Sequence, residues 1–171
     1  MAHGKSQRLR PKRRRQGKTD YHRRMRLLRS GAPRAVVRVS NTQVICQLVS
    51  YKPGGDNILQ SVNGKSLTDS YSWPESASKK SIPACYIAGY ALGKKALSSG
   101  NTEAVLDIGL AASSSGSRVF AALKGMIDAG LDIPHGTTVL PSEERLGGKH
   151  IDDSLSSSVE ASIEAIEGAH Q

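Results

Sequence analysis

Three runs rich in β-branched residues, AVVRVS (35–40), QVICQLVSY (43–51) and NILQSVN (57–63), follow one another across gaps too short to hold a helix. The gaps are Asn41-Thr42 and KPGGD, both turn chemistry, so the three runs predict an antiparallel meander. Beyond residue 80 the hydrophobic period becomes helical. Ser81 and Pro83 suit a helix start and Gly100 its end, with Ile82, Cys85, Tyr86, Gly89, Leu92, Gly93 and Ala96 on one stripe. Gly89 and Gly93 let that helix approach the sheet closely. EAVLDIGL (103–110) then predicts a fourth strand, and Ser115 or Ser117 caps a helix that turns Val119, Leu123 and Met126 inward and stops at Gly130. The expected fold class is α/β: a mixed sheet made from the three-strand meander plus a fourth strand, with packed helices. The loop between meander and helix contains Tyr71 and Trp73, available either for packing or for stacking on bases.

Two segments flank this core. The last, from LPSEERLGGKHI (140–151) through an acidic helix bearing Leu155, Val159 and Ile163, predicts a C-terminal extension laid on it. The first is a basic arm. Residues 1–38 hold fourteen of the 24 lysines and arginines and one of the 15 acids, a net of +13; the other 133 residues carry ten against fourteen, a net of −4. Residues 1–19 have too little apolar content to bury and are expected to be disordered when free. Order begins at Thr19 or Asp20, either of which caps a short helix ending before Gly31, with Tyr21, Met25 and Leu28 on its docking face. The expected organisation is an arm with its helix (1–31), a core (32–133) and the extension (134–171), a length that suits one compact core.

Charge segregated in this way points to a polyanionic partner. Arginine dominates the arm, and its planar fork grips phosphates bidentately and stacks on exposed bases, which suits folded RNA. The alternatives in the residues are weak. GKT at Gly17 and GKS at Gly64 imitate a phosphate-binding loop, but the glycine required five positions earlier is Lys12 in one case and Leu59 in the other. His3, His22, His135, His150 and His170 are scattered, and Glu143-Glu144 is an adjacent pair of loop acids. Cys46 and Cys85 sit in apolar contexts and predict core positions in a reducing compartment. With no long apolar run and no secretory h-region, a soluble cytoplasmic protein is expected, with no cofactor, metal, membrane or small-molecule substrate.

RRRQGKTDYHRRMRLLRSGAPRAVVRVSNTQVICQLV (13–49), LDIGL (106–110) and SRVFAALKGMIDAGLDIPHG (117–136) with LPSEERLGGKHI resemble the archaeal form of the large-subunit ribosomal protein that binds 5S rRNA, the L-eighteen family, whose eukaryotic relative is called L-five. The resemblance covers nearly the whole chain. Bacterial members lack most of the last segment and eukaryotic members run much longer. It implies a non-catalytic role in the cytoplasmic ribosome: attaching 5S rRNA to 23S rRNA in the central protuberance, beside neighbouring large-subunit proteins. Carried onto this chain, the RNA-facing set is Arg8, Arg10, Lys12, Arg13, Arg14, Arg15 and Lys18 in the arm; Tyr21, Arg23, Arg24 and Arg29 in the helix; and Arg34, Arg38, Ser40 and Asn41 at the sheet edge. The rival expectation is an RNA-processing or RNA-modifying enzyme that uses the arm to capture substrate.

Overall fold

The computed structural model describes residues 8–170. In chain order the elements are α1 (Lys12–Arg15), α2 (Tyr21–Leu28), β1 (Arg34–Val39), β2 (Val44–Ser50), β3 (Asn57–Asn63), α3 (Gly64–Ser70), α4 (Ile82–Ser98), β4 (Val105–Asp107), α5 (Arg118–Asp128), a 3-10 turn (Thr137–Val139), α6 (Glu143–Leu146) and α7 (Leu155–Ala169). The expected α/β class with a mixed sheet holds. Strand order is β3-β2-β1-β4: the first three strands form the antiparallel meander, and β4 joins parallel to β1 from Arg34↔Val105 to Val36↔Asp107.

Alternation along the strands decides which face is covered. Ala35 and Val37 on β1, Val44, Cys46 and Leu48 on β2 and Val62 on β3 are buried together, while Val36, Ile45 and Gln47 between them are only half-buried. The helix that covers this face, α4, starts as its sequence dictates: Ser81 Oγ accepts from Ala84 N–H and Pro83 sits in the first turn. Twelve of its 17 residues are buried, so it is enclosed nearly all round.

The glycine stripe of α4 does approach a neighbour closely, but the neighbour is α5, not the sheet. A Cβ on Gly89 would lie 2.0 Å from the Ala122 carbonyl oxygen, and one on Gly125 would lie 2.1 Å from that of Tyr86. Small residues on both helices match, and only that match brings two backbones so near.

Residues 64–73 also depart from expectation. The expected polar loop opens with α3, started by a reciprocal capping box in which Asn63 Oδ1 accepts from Ser66 N–H and Ser66 Oγ accepts from Asn63 N–H, both at 2.9 Å. That helix buries Leu67 and delivers Tyr71 and Trp73 into the core, 4% and 2% exposed. Of the two readings of these aromatics, packing is the one realised; neither presents a ring to a partner.

Helix α7 has Val159, Ser162 and Ile166 buried and Leu155 and Ile163 half-buried. Tyr90 Oη donates to Glu167 at 2.6 Å, and Tyr71 Oη meets His170 Nε2 at 3.2 Å, tying α7 to the core. Both cysteines are free and buried, and burial pushes the Cys85 thiol up to about 12 and raises that of Cys46. Neither is poised as a nucleophile. Among the described residues no helix is long and apolar enough to cross a membrane.

Candidate nucleic-acid interface

Residues 8–19 hold more local order than their composition suggests; residues 1–7, including His3, lie outside the described ones. Pro11 pre-sets the start of α1, and its carbonyl accepts from Arg14 and Arg15 N–H. Gly17 then takes a left-handed φ of +63° that reverses the chain, and Arg13 Nε donates to Thr19 Oγ1 at 2.9 Å. No residue of α1 is buried, so the turn holds by backbone and polar bonds alone.

Asp20 caps α2 as its sequence position implies. Its Oδ1 accepts from His22 N–H at 2.9 Å and Arg23 N–H at 3.2 Å, and the Arg23 N–H above all holds this carboxyl below its ordinary range. The docking face differs from expectation: Met25 is 54% exposed, and the half-buried residues are Tyr21, Arg24, Leu27 and Leu28. Arg24 takes a place on the inward face because a carboxylate waits there.

That carboxylate belongs to a chain of alternating charges running under the helix. Arg24 pairs with Asp56 at 2.7 Å, Asp56 with Arg34 at 2.7 Å, Arg34 with Asp107 at 2.6 Å, and Asp107 with Arg38 at 2.9 Å. Asp107 Oδ1 also accepts from Gly109 N–H at 2.8 Å. Burial by itself would raise the Asp107 carboxyl, but the charge and hydrogen bond of Arg38, with Gly109 and Arg34, outweigh it and the net displacement is downward. Asp56 is lowered chiefly by its hydrogen bond from Arg24.

Arg34 is 2% exposed with its charge answered by two carboxylates, so it is an internal post of the fold and leaves the candidate interface. Arg38 reaches the surface, its side chain 44% exposed, with Nη1 donating to the Val37 and Asp107 carbonyls. Arg24 is engaged but partly open, and Tyr21 is half-buried at its side. Arg8, Arg10, Lys12, Arg13, Arg14, Arg15, Lys18, Arg23 and Arg29 are exposed, and among the described residues none has a carboxylate within salt-bridge distance. Ser40 and Asn41 are exposed in the β1–β2 turn. Ser40 Oγ shapes that turn, accepting from Gln43 N–H at 3.0 Å and donating to its carbonyl at 2.8 Å.

Two basic features have no clear signature in the sequence. Lys80 Nζ donates to the Asn41 carbonyl at 2.6 Å, which brings the Lys79-Lys80 pair beside that turn; the only local signal is the doublet itself. Arg118, at the start of α5, lines an open groove of about 1000 Å³ together with Arg13, Lys18, Arg23 and Arg38. Nothing near Arg118 in sequence announces that neighbourhood.

The family model for ribosomal large subunit proteins 60S L5 and 50S L18 matches residues 5–104 and 98–136. The chain belongs to this family. Among its relatives, the large ribosomal subunit protein uL18 of Korarchaeum cryptofilum is 44% identical over 151 residues, 88% of this chain and 76% of the relative. That of Methanoculleus marisnigri is 51% identical over 140 residues, 82% and 78% of the two chains, and that of Halobacterium salinarum is 46% identical over 151 residues, 88% and 81%. Family membership makes the chain a structural protein of the large ribosomal subunit and not an enzyme, so the expectation of an RNA-processing or RNA-modifying activity falls.

Proposed function

We propose that this protein binds 5S rRNA and helps fasten it to 23S rRNA in the central protuberance, with the arm and α2 as its principal RNA-facing elements. The observation that supports this most is the unmatched charge of the arm. The exposed cations from Arg8 to Lys18, with Arg23 and Arg29, have no carboxylate partner among the described residues, whereas the arginines beneath them are paired. Unmatched surface charge at this density is stabilised by a polyanion, and a phosphate backbone meets it by releasing its counterions. Arg38, Ser40 and Asn41 extend the interface along the sheet edge, while Arg34 positions Asp56 and Asp107. The proposed division remains arm and helix at 1–31, core at 32–133 and extension at 134–171, the last facing neighbouring large-subunit proteins.

The test is a filter-binding titration of 5S rRNA and of an unrelated folded RNA of equal length across a salt series. Preferred binding of 5S rRNA with a steep linear fall of log affinity against log salt is expected. Equal affinity for the two RNAs at every salt concentration would refute the 5S assignment.

A further inference from the structure

The groove between the arm and the start of α5 is walled by parts of the chain about one hundred residues apart. Arg13, Lys18 and Arg23 from the arm and α2, and Ser117 and Arg118 from the start of α5, all line it. The acids lining it are all engaged: Asp20 caps α2, Asp56 holds two arginines, and Asp107 holds two arginines and the Gly109 amide. Arg13, Lys18, Arg23 and Arg118 have no carboxylate among the described residues, and Arg23 Nη1 is held only by the Gly109 carbonyl at 2.7 Å. Four such cations around one hollow repel one another unless an anion lies among them.

The α5 end of the groove is built to the same sign. Ser117 is the N-cap, and its carbonyl accepts from Phe120 and Ala121 N–H. Its hydroxyl is buried without a partner among the described residues, although an N-cap serine ordinarily accepts a first-turn N–H. The positive end of an eleven-residue helix therefore opens towards the hollow with its side-chain cap unmade. Leu27 and the exposed Leu110 add an apolar rim.

We infer that this groove holds one strand of the ribosomal RNA sugar-phosphate backbone, with Arg118 and the first turn of α5 gripping it from the side opposite the arm. The inference rests on the proposed rRNA binding and adds to it a second wall that closes the arm into a clamp. A small free anion is a poorer occupant. The hollow is at the upper end of the ~300–1000 Å³ typical of small-molecule sites, and it is continuous with the exposed cations of the arm.

The test compares the full-length protein with its Arg118→Gln, Arg118→Lys and Lys65→Gln variants, each titrated with 5S rRNA and with 23S rRNA across a salt series. Arg118 lies outside the buried charge network, so folding is expected to be unchanged, as thermal melting will verify. Arg118→Gln is expected to flatten the slope of log affinity against log salt by roughly 0.7 to 0.9 and to weaken binding about fivefold at 0.1 M salt. Arg118→Lys should keep the slope, and Lys65→Gln, which removes one exposed charge on α3 outside the groove, should leave both quantities unchanged. Arg118→Gln matching Lys65→Gln on both RNAs would overturn the clamp while leaving 5S binding standing. A wild-type protein that binds 23S but not 5S rRNA, and still weakens on Arg118→Gln, would overturn the 5S reading and support the clamp. No salt-dependent binding of either RNA would overturn both.

Discussion

Helix α4 and helix α2 lie in one small molecule and are held by different physics. Twelve residues of α4 are buried, and its glycines admit α5 to backbone contact; α2 buries no residue fully and is fixed by one capping aspartate, a half-buried apolar edge and the ion pair to Asp56. A helix meant to present arginines outward cannot also be anchored by burial on every side. Its position is set from below by a charge chain, whose carboxylates hold some arginines still while the outer ones remain unmatched. An arginine's role in this chain therefore depends on which carboxylate it can reach.

The largest effect is expected from breaking that chain at its centre. Asp107→Ala leaves the buried Arg34 with one partner, and removing one partner of a buried pair costs about 3–5 kcal/mol. Urea unfolding measures the loss, and hydrogen exchange should show α2 loosened as well. The pH dependence has a definite sign. The folded carboxyls of Asp107 and Asp56 are lowered, so the stability they contribute is complete above the unfolded value of about 3.9 and is lost as pH falls through their lower folded values. Asp107→Ala should therefore show a shallower acid decline than wild type. Equal acid sensitivity of the two proteins would show that the charge chain does not anchor this side.

A smaller loss is expected on the α4 side. Gly89→Ala gains about 1 kcal/mol of helix propensity, but its Cβ would meet the Ala122 carbonyl oxygen at 2.0 Å, and backbone cannot yield as a side chain does. Overpacking of this kind costs typically ~1–3 kcal/mol, so after the propensity gain a net destabilisation of up to about 2 kcal/mol is expected in the same urea experiment. A stabilised variant would mean that α4 and α5 are free to part.

The smallest stability effect belongs to the arm. Replacing Arg13, Arg14 and Arg15 by glutamine removes no buried contact, and surface changes of this kind stay within about 0.5 kcal/mol. Binding should respond instead: the salt slope for 5S rRNA is expected to flatten by about 2 if most of the three touch phosphate. Loss of stability without change in slope would reverse the contrast between the two regions.

Much of this is legible in the chain. Asp20 followed by an arginine-rich turn and Gly31, the three alternating runs, and Ser81 with Pro83 before a long apolar stripe are signals carried within a few residues, where backbone geometry and capping are decided. The capping box at Asn63 and Ser66 is equally local, but its polar surroundings disguise it as a loop.

Other outcomes have no local signal. Arg34 and Arg38 stand four residues apart on one strand and look alike in sequence. One is buried because Asp107, 73 residues away, and Asp56, 22 away, converge on it; the other reaches the surface. Met25 lies outside the docking face of α2 because Arg24 found Asp56, and Gly89 serves α5 because a complementary small residue, Ala122, faces it there. The sequence by itself determined most of the elements, the caps of α2 and α4 and the segregation of positive charge, since each follows from propensity, periodicity and composition along the chain. Which cations are neutralised, which aromatics are buried and where Arg118 meets the arm were decided only by tertiary structure, because each depends on a partner that folding alone brings within a few ångströms.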